Sequence, residues 1–234
     1  GLLEEAANQA EIAGDIQRAV QLAEASLRRL IDLGRNAEIV AWLGRIASAE
    51  IETRPRFWAP AGWALANTNR GEEARSFAEA IRNNPNAGEF ERYEADLIQS
   101  AASAHNDDHD NWDLLPQRWP APPKYAEPSQ MVIHSVSLAH RAILSGRPET
   151  GRQCLNMPLI APNPSRPIAP VSLSFAEALR GLSYLWEGKP LTAAGILRQG
   201  LTSAEASMDR RSRAALTLAA LLAEAALASG DAAE

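Results

Sequence analysis

Apolar residues recur every three or four positions along most of this chain, and the pattern breaks at short turns rich in Gly, Asn, Asp and Pro. Between 16 and 33, Ala19, Leu22, Ala23, Leu27 and Leu30 fall on one stripe. Asp15 stands where a carboxylate would accept from the free amides of the first turn. The same spacing predicts helices over 2–13, 37–46, 55–67 and from Arg70 to the Asn83-Asn84-Pro85 break. Ile39, Trp42, Leu43 and Ile46 share one side of the third, and Phe57, Ala61, Ala64 and Leu65 are the expected buried positions of the fourth. Further helices are predicted over 90–104, after an Asp107-Asp108 cap, up to about Met157, from Phe175 to the turn at Gly188, from Pro190 through 206, and over 212–229. Nothing alternates with the two-residue period of a strand, so the chain is all-α.

Five places share a finer frame. Gly181, Gly188 and Ala193 put a small residue seven before a left-handed turn residue and another five after it. Gly188 can close one helix in the left-handed conformation, and Pro190 is pre-set for the first turn of the next. Ala7, Gly14 and Ala19 repeat the frame, as do Gly62, Asn69 and Ala74, with Asn69 in the left-handed place. Ala139, Gly146 and Gly151 repeat it again, and Ala223 with Gly230 begin a fifth copy. The turns at positions 146, 188 and 230 are 42 residues apart. Small, turn, small is a helix-hairpin repeat, and its succession predicts an α-solenoid: one domain over 1–234 with a running seam in place of a single centre.

Prolines interrupt this scheme twice. Pro116, Pro120, Pro122, Pro123 and Pro128 make 115–128 a surface connection, because no helix interior tolerates that density, and 158–170 is a second such loop. Six tryptophans stand in an otherwise aromatic-poor sequence; Trp42 and Trp58 are expected in the packing between repeats.

Charge and chemistry exclude more than they assign. The net charge of −6 and the lack of a basic face argue against direct nucleic acid contact. The densest cationic cluster, Arg210, Arg211 and Arg213, reads as a solvated helix face. The lone Cys154 permits no disulfide framework and suits a cytoplasmic setting, and the longest apolar tract is too short for a membrane span. His105 and His109 with Asp107, Asp108 and Asp110 could hold a metal on one continuous helix, but capping carboxylates in a polar turn account for the same residues. Gly188-Lys189 lacks the spacing of a phosphate loop, and no nucleophile, base and orienting group fall into a catalytic pattern. The expectation is a non-enzymatic binding module without cofactor or metal.

The run LLEEAANQAEIAGDIQRAVQLAEASLRRLIDLGRNAEIVAWLGRI resembles the first solenoid stretch of MalT-like, LuxR-family bacterial regulators. PRFWAPAGWALANTNRGEEARSFAEA resembles the next helix pair of that family, and residues 174–231 resemble its later repeats; 88–128 fit only loosely. The resemblance implies a right-handed solenoid of tetratricopeptide-like (TPR-like) helix pairs. Such a segment receives a small-molecule effector or a protein partner and controls an ATPase and a helix-turn-helix domain elsewhere in the parent chain. This chain has neither a phosphate loop nor a DNA reader, as expected of an excised middle piece. A free-standing TPR-type adaptor for a peptide or protein is the alternative.

In stacks of this kind the first helix of each pair lines the concave side with residues thirteen, ten, six, three and two before the turn. Counted from Asn69 these are Arg56, Ala59, Trp63, Ala66 and Asn67. From Gly146 they are Ile133, Val136, His140, Ile143 and Leu144, and from Gly188 they are Phe175, Ala178, Leu182, Leu185 and Trp186. The expected ligand groove therefore has Trp63 and Trp186 as flat walls, with Arg56, Asn67 and His140 as polar anchors. If the longer repeats rotate these helices, the tryptophans are ordinary core instead.

Overall fold

A computed structural model describes residues 2–45, 51, 54–105, 108, 114–156 and 167–230. Its helices in the first half are α1 (Leu2–Ile12), α2 (Ile16–Asp32), α3 (Asn36–Leu43), α4 (Pro55–Ala66), α5 (Gly71–Asn83), α6 (Glu89–His105) and α7 (Leu114–Arg118). The second half has α8 (Pro128–Leu144), α9 (Pro148–Leu155), α10 (Pro170–Trp186), α11 (Pro190–Ser207) and α12 (Arg213–Ser229). The architecture is all-α, with no strand among the described residues.

Helix ends follow the turn chemistry. Asp15 accepts from the Arg18 amide at 3.0 Å, and Ser212 accepts from the Ala215 amide at 3.3 Å. Pro55, Pro128, Pro148, Pro170 and Pro190 all open helices, where the missing amide costs nothing. Gly14, Gly146, Gly188 and Gly230 adopt φ between +69° and +79°, and Asn69 is the non-glycine residue with positive φ, at 59°. The small positions flanking these turns are buried: Ala7, Ala74, Ala139 and Ala193 are fully inaccessible. A Cβ on Gly181 would lie 2.4 Å from Leu197, and one on Gly151 would lie 2.6 Å from Ile143 and 3.1 Å from the Ala139 carbonyl.

Successive helices pack as hairpins, and α4, α6, α8, α10 and α12 also pack each on the next of that series. The succession curls until its ends meet. Helix α2 touches α10, and the Asp209 amide donates to the Leu33 carbonyl at 3.1 Å. Gly34, at φ +71°, lies so close to the α11–α12 junction that a Cβ there would fall 2.5 Å from that of Ser212. Arg213 donates to the Asn69 side-chain oxygen, which gives position 69 a reason to be asparagine.

Two expectations need correction. Pro116 lies within the short helix α7, in its first turn, so the surface connection expected over 115–128 begins only after Arg118 and runs over 119–127. Leu115 is buried, while Arg118 and Trp119 donate to the Asp96 carboxylate at 2.7 and 2.9 Å. Arg210 and Arg211 are exposed as expected, but Arg213, at the start of α12, is half-buried against Asn69. The second proline loop, Trp112 and most of the His105–Asp110 run lie outside the described residues. Among the described residues no helix is long and apolar enough to cross a membrane.

Candidate functional site

The curl encloses a partly covered cavity of about 450 Å³, walled by α2, α4, α6, α8, α10 and α12. Most of its lining is apolar. Ile133 and Val136 come from α8, Phe175, Ala178, Leu179 and Leu182 from α10, and Leu221 from α12. Ala101 and Ala104 keep the α6 wall thin, and Ile31 of α2 covers the side where α2 meets α10. Each of these positions follows from helical spacing: 175, 178, 179 and 182 are one face of α10, and 133, 136 and 140 one face of α8.

Polar groups gather in two places. At one, Arg28 of α2 donates to Glu94 at 2.8 Å and to Glu127 at 3.2 Å, and the Trp63 indole donates to the same Glu94 oxygen at 3.1 Å. The Glu94 side chain is only 8% exposed, so this carboxylate is a fixed negative point beside the cavity. Burial works against the Arg28 charge, yet Glu94, Asp32 and Glu127 outweigh it and hold the guanidinium above its usual pKa. Burial raises the Asp32 carboxyl, Arg28 opposes, and Glu127 and Glu94 add to the rise.

At the other place stand His105, His140 and Arg213. His105 Nδ1 is 3.0 Å from the Ala66 carbonyl, which can only accept, so Nδ1 carries the proton and Nε2 is the acceptor. Its ring lies 6.0 Å from that of Phe175. Burial pushes this imidazole down to about 4, and the nearby Arg213 charge adds to the effect. Burial also lowers the Arg213 guanidinium.

Of the residues expected to form a groove, Trp63, Asn67 and His140 lie on this wall. Arg56 and Trp186 do not. Arg56 is 89% exposed and faces Glu24 across 3.9 Å on the outside, and Trp186 is 51% exposed. The residue six before each turn (Trp63, His140, Leu182) lines the cavity in all three pairs, but Ala66, Ile143 and Leu185, three before, do not. Ala66 and Ile143 point into the packing between helices and are buried there, although Asn67, next to Ala66, still reaches the cavity. Trp63 is 8% exposed and anchored by Glu94, so it serves at once as wall and as packing.

The charged members escaped the sequence reading. Arg28 and Asp32 sit among Leu27, Leu30 and Ile31 at the end of an apolar stripe, and that interruption was the available signal. Glu94 is a second case, a charge on the buried face of α6. No group of three or more His, Cys, Asp or Glu side chains that could hold a metal ion occurs among the described residues.

No family model matches the chain, and neither a curated protein nor a solved structure matches it.

Proposed function

We propose that the chain is an effector-sensing solenoid of right-handed, TPR-like helix pairs, similar to the sensor region of MalT-like, LuxR-family regulators, and that a small molecule binds in the central cavity. The cavity carries this reading: its open surface is mostly apolar, its charged groups gather at two points, and its size is that of a ligand pocket. The adaptor alternative fits less well. An extended peptide needs a groove open along its length, whereas the α2–α10 contact and the Asp209–Leu33 hydrogen bond bridge this one.

The same closure suggests how binding is transmitted. A ligand touching α4 and α6 on one side and α10 and α12 on the other makes its full set of contacts only while the two ends of the curl meet. It therefore shifts the population toward the closed form. In the parent regulator an ATPase and a helix-turn-helix domain would read that closure in the cytoplasm, and this segment would itself neither hydrolyse ATP nor contact DNA.

The test is thermal denaturation of the 234-residue chain against a panel of sugars, amino acids, organic acids and nucleosides. A true ligand at a hundredfold excess over its Kd should add about 2.7 kcal/mol and raise Tm. Ala104→Phe, which fills the thin wall, should abolish that rise. A panel without effect on the parent protein, or equal rises in both proteins, rejects the cavity as the site.

A further inference from the structure

Resting on the cavity reading above, we infer that the ligand is a small monocarboxylic acid with an apolar body, its carboxylate held by Arg213 and its body by the walls of α8 and α10. Seven of the 21 arginines face a carboxylate within 3.2 Å: Arg28, Arg35, Arg70, Arg75, Arg82, Arg118 and Arg152. Arg213 has no carboxylate within ion-pair distance among the described residues. Its one partner is the neutral Asn69 side chain, and it is among the residues that line the cavity. A desolvated guanidinium that spends one of its five donors on an amide oxygen leaves a fork free for a planar bidentate acceptor. Its place at the first residue of α12 adds the positive end of that helix to its own charge.

The rest of the wall fixes the charge and shape of the guest. His105 is neutral at physiological pH, so the full charge that its neighbour Arg213 carries is the one an anion would meet there. Elsewhere on the wall Asp32 and Glu94 would repel a second negative charge. Arg28 is already committed to Glu94 and Glu127, so a phosphate dianion would have Arg213 left to answer two charges, whereas a monocarboxylate needs only that one cation. Ile133, Val136, Phe175 and Leu182 give these walls an apolar stretch that suits an alkyl or aryl body, with the hydroxyls of Ser137 and Ser172 beside it.

Phenylbutyrate, its uncharged analogue phenylbutanol, octanoate with octanol, and inorganic phosphate are the probes, with titration calorimetry on the full chain as readout. The acids should bind, and the alcohols should bind roughly ten- to a hundredfold more weakly, as expected for loss of a charged hydrogen-bond partner. Arg213→Met should bring the acids down to the level of the alcohols. Arg210→Met removes the same charge from an exposed position on the neighbouring turn and should leave the preference intact. Because Arg213 also bridges to Asn69, circular dichroism and Tm of Arg213→Met are measured, and Arg213→Lys, which keeps the charge but loses the fork, should recover part of the preference. Equal affinity for acid and alcohol, or an acid preference that survives Arg213→Met, overturns the assignment while leaving the cavity as a ligand site. Binding of phosphate in place of the acids, or of neither probe class, overturns it as well. In the latter case, stabilisation by another compound of the panel that Ala104→Phe abolishes keeps the cavity reading standing.

Discussion

The two halves of this molecule are held together differently. From α8 onward the packing is made of small residues: Ala178, Ala193, Ala194, Ala204, Ala215 and Ala225 surround Leu197 and Leu218, and Gly181 lets Leu197 lie against its backbone. The most buried ion pair there among the described residues, Arg152 with Glu187 at 2.5 Å, joins α9 to the end of α10, and others such as Arg180 with Glu177 at 3.7 Å are peripheral. Before α8 the core is made of large side chains, among them Phe57, Trp63, Leu65, Tyr93 and Ile98, and it contains buried charge. Asp96, 7% exposed, takes Arg82, Arg118 and Trp119; Glu94 takes Arg28 and Trp63. The second half approximates a repeating local code, and the first is tied by specific long-range pairs. Close packing of small residues tolerates little added volume, whereas paired charge tolerates no loss of a partner.

The largest effect should come from breaking a buried pair. Asp96→Ala removes the common acceptor of two guanidiniums and an indole, and should cost about 3–5 kcal/mol. Denaturant unfolding measures this, and a loss below 1 kcal/mol, on the order of an exposed pair, would show that the first half does not depend on its buried charge.

That difference also explains what could be read from the residues alone. The turns at Gly146, Gly188 and Gly230, and Asn69 as a left-handed residue, followed from local chemistry, and all have positive φ. The burial of Ala139, Gly181 and Ala193 followed from the frame in the same way. The Asp96 cluster did not, because Arg82, Asp96 and Arg118 carry no mark in the sequence that they share one site. Nor did the closure: only the accumulated rotation of several hairpins brings Gly34 to Ser212. For this reason Trp63 and His140 could be placed on the inner side from spacing, yet Arg213, 144 residues from its partner Asn69, could not.

The border between the halves should be the part most sensitive to acid. His134 of α8 is fully buried with Nδ1 3.0 Å from the Tyr93 hydroxyl of α6 and no partner at Nε2, and His105 joins α6 to Ala66 and to Phe175 of α10. Burial pushes both imidazoles from 6.5 down to about 4. Between those values the unfolded chain binds more protons than the folded one, so stability is complete above about 6.5 and falls as the pH drops toward 4. At about pH 5 the loss should reach about 2 kcal/mol per histidine. Replacing both with Gln should flatten the fall in Tm across this window. An unchanged slope would mean that neither imidazole is held neutral by burial.

Within the second half the expected penalty is steric. Gly181→Ala places a methyl 2.4 Å from Leu197, which is fully buried and cannot move without disturbing Ala193 and Leu218 around it. The cost should be about 1–3 kcal/mol, and Leu197→Ala in the same background should relieve part of the clash, a non-additivity that a double-mutant cycle reads directly. Strict additivity would mean that the two residues do not meet.

The smallest effect has the opposite sign and tests whether close approach, rather than glycine itself, makes Gly181 necessary. Gly195 lies in the interior of α11, two residues past the frame position Ala193 and on the exposed side of the helix, and a Cβ there would meet nothing within 4 Å. It has no positive φ, so an alanine adopts its backbone without strain. Glycine in an exposed helix interior carries an entropic cost that alanine removes, so Gly195→Ala should stabilise by about 0.5–1 kcal/mol. Gly181→Ala offers the unfolded chain the same entropic change, and the difference between the two variants therefore isolates the packing contribution at the α10–α11 contact. If both substitutions stabilise, Leu197 yields to the added methyl, and the tight small-residue packing that distinguishes the second half from the first is not what holds it.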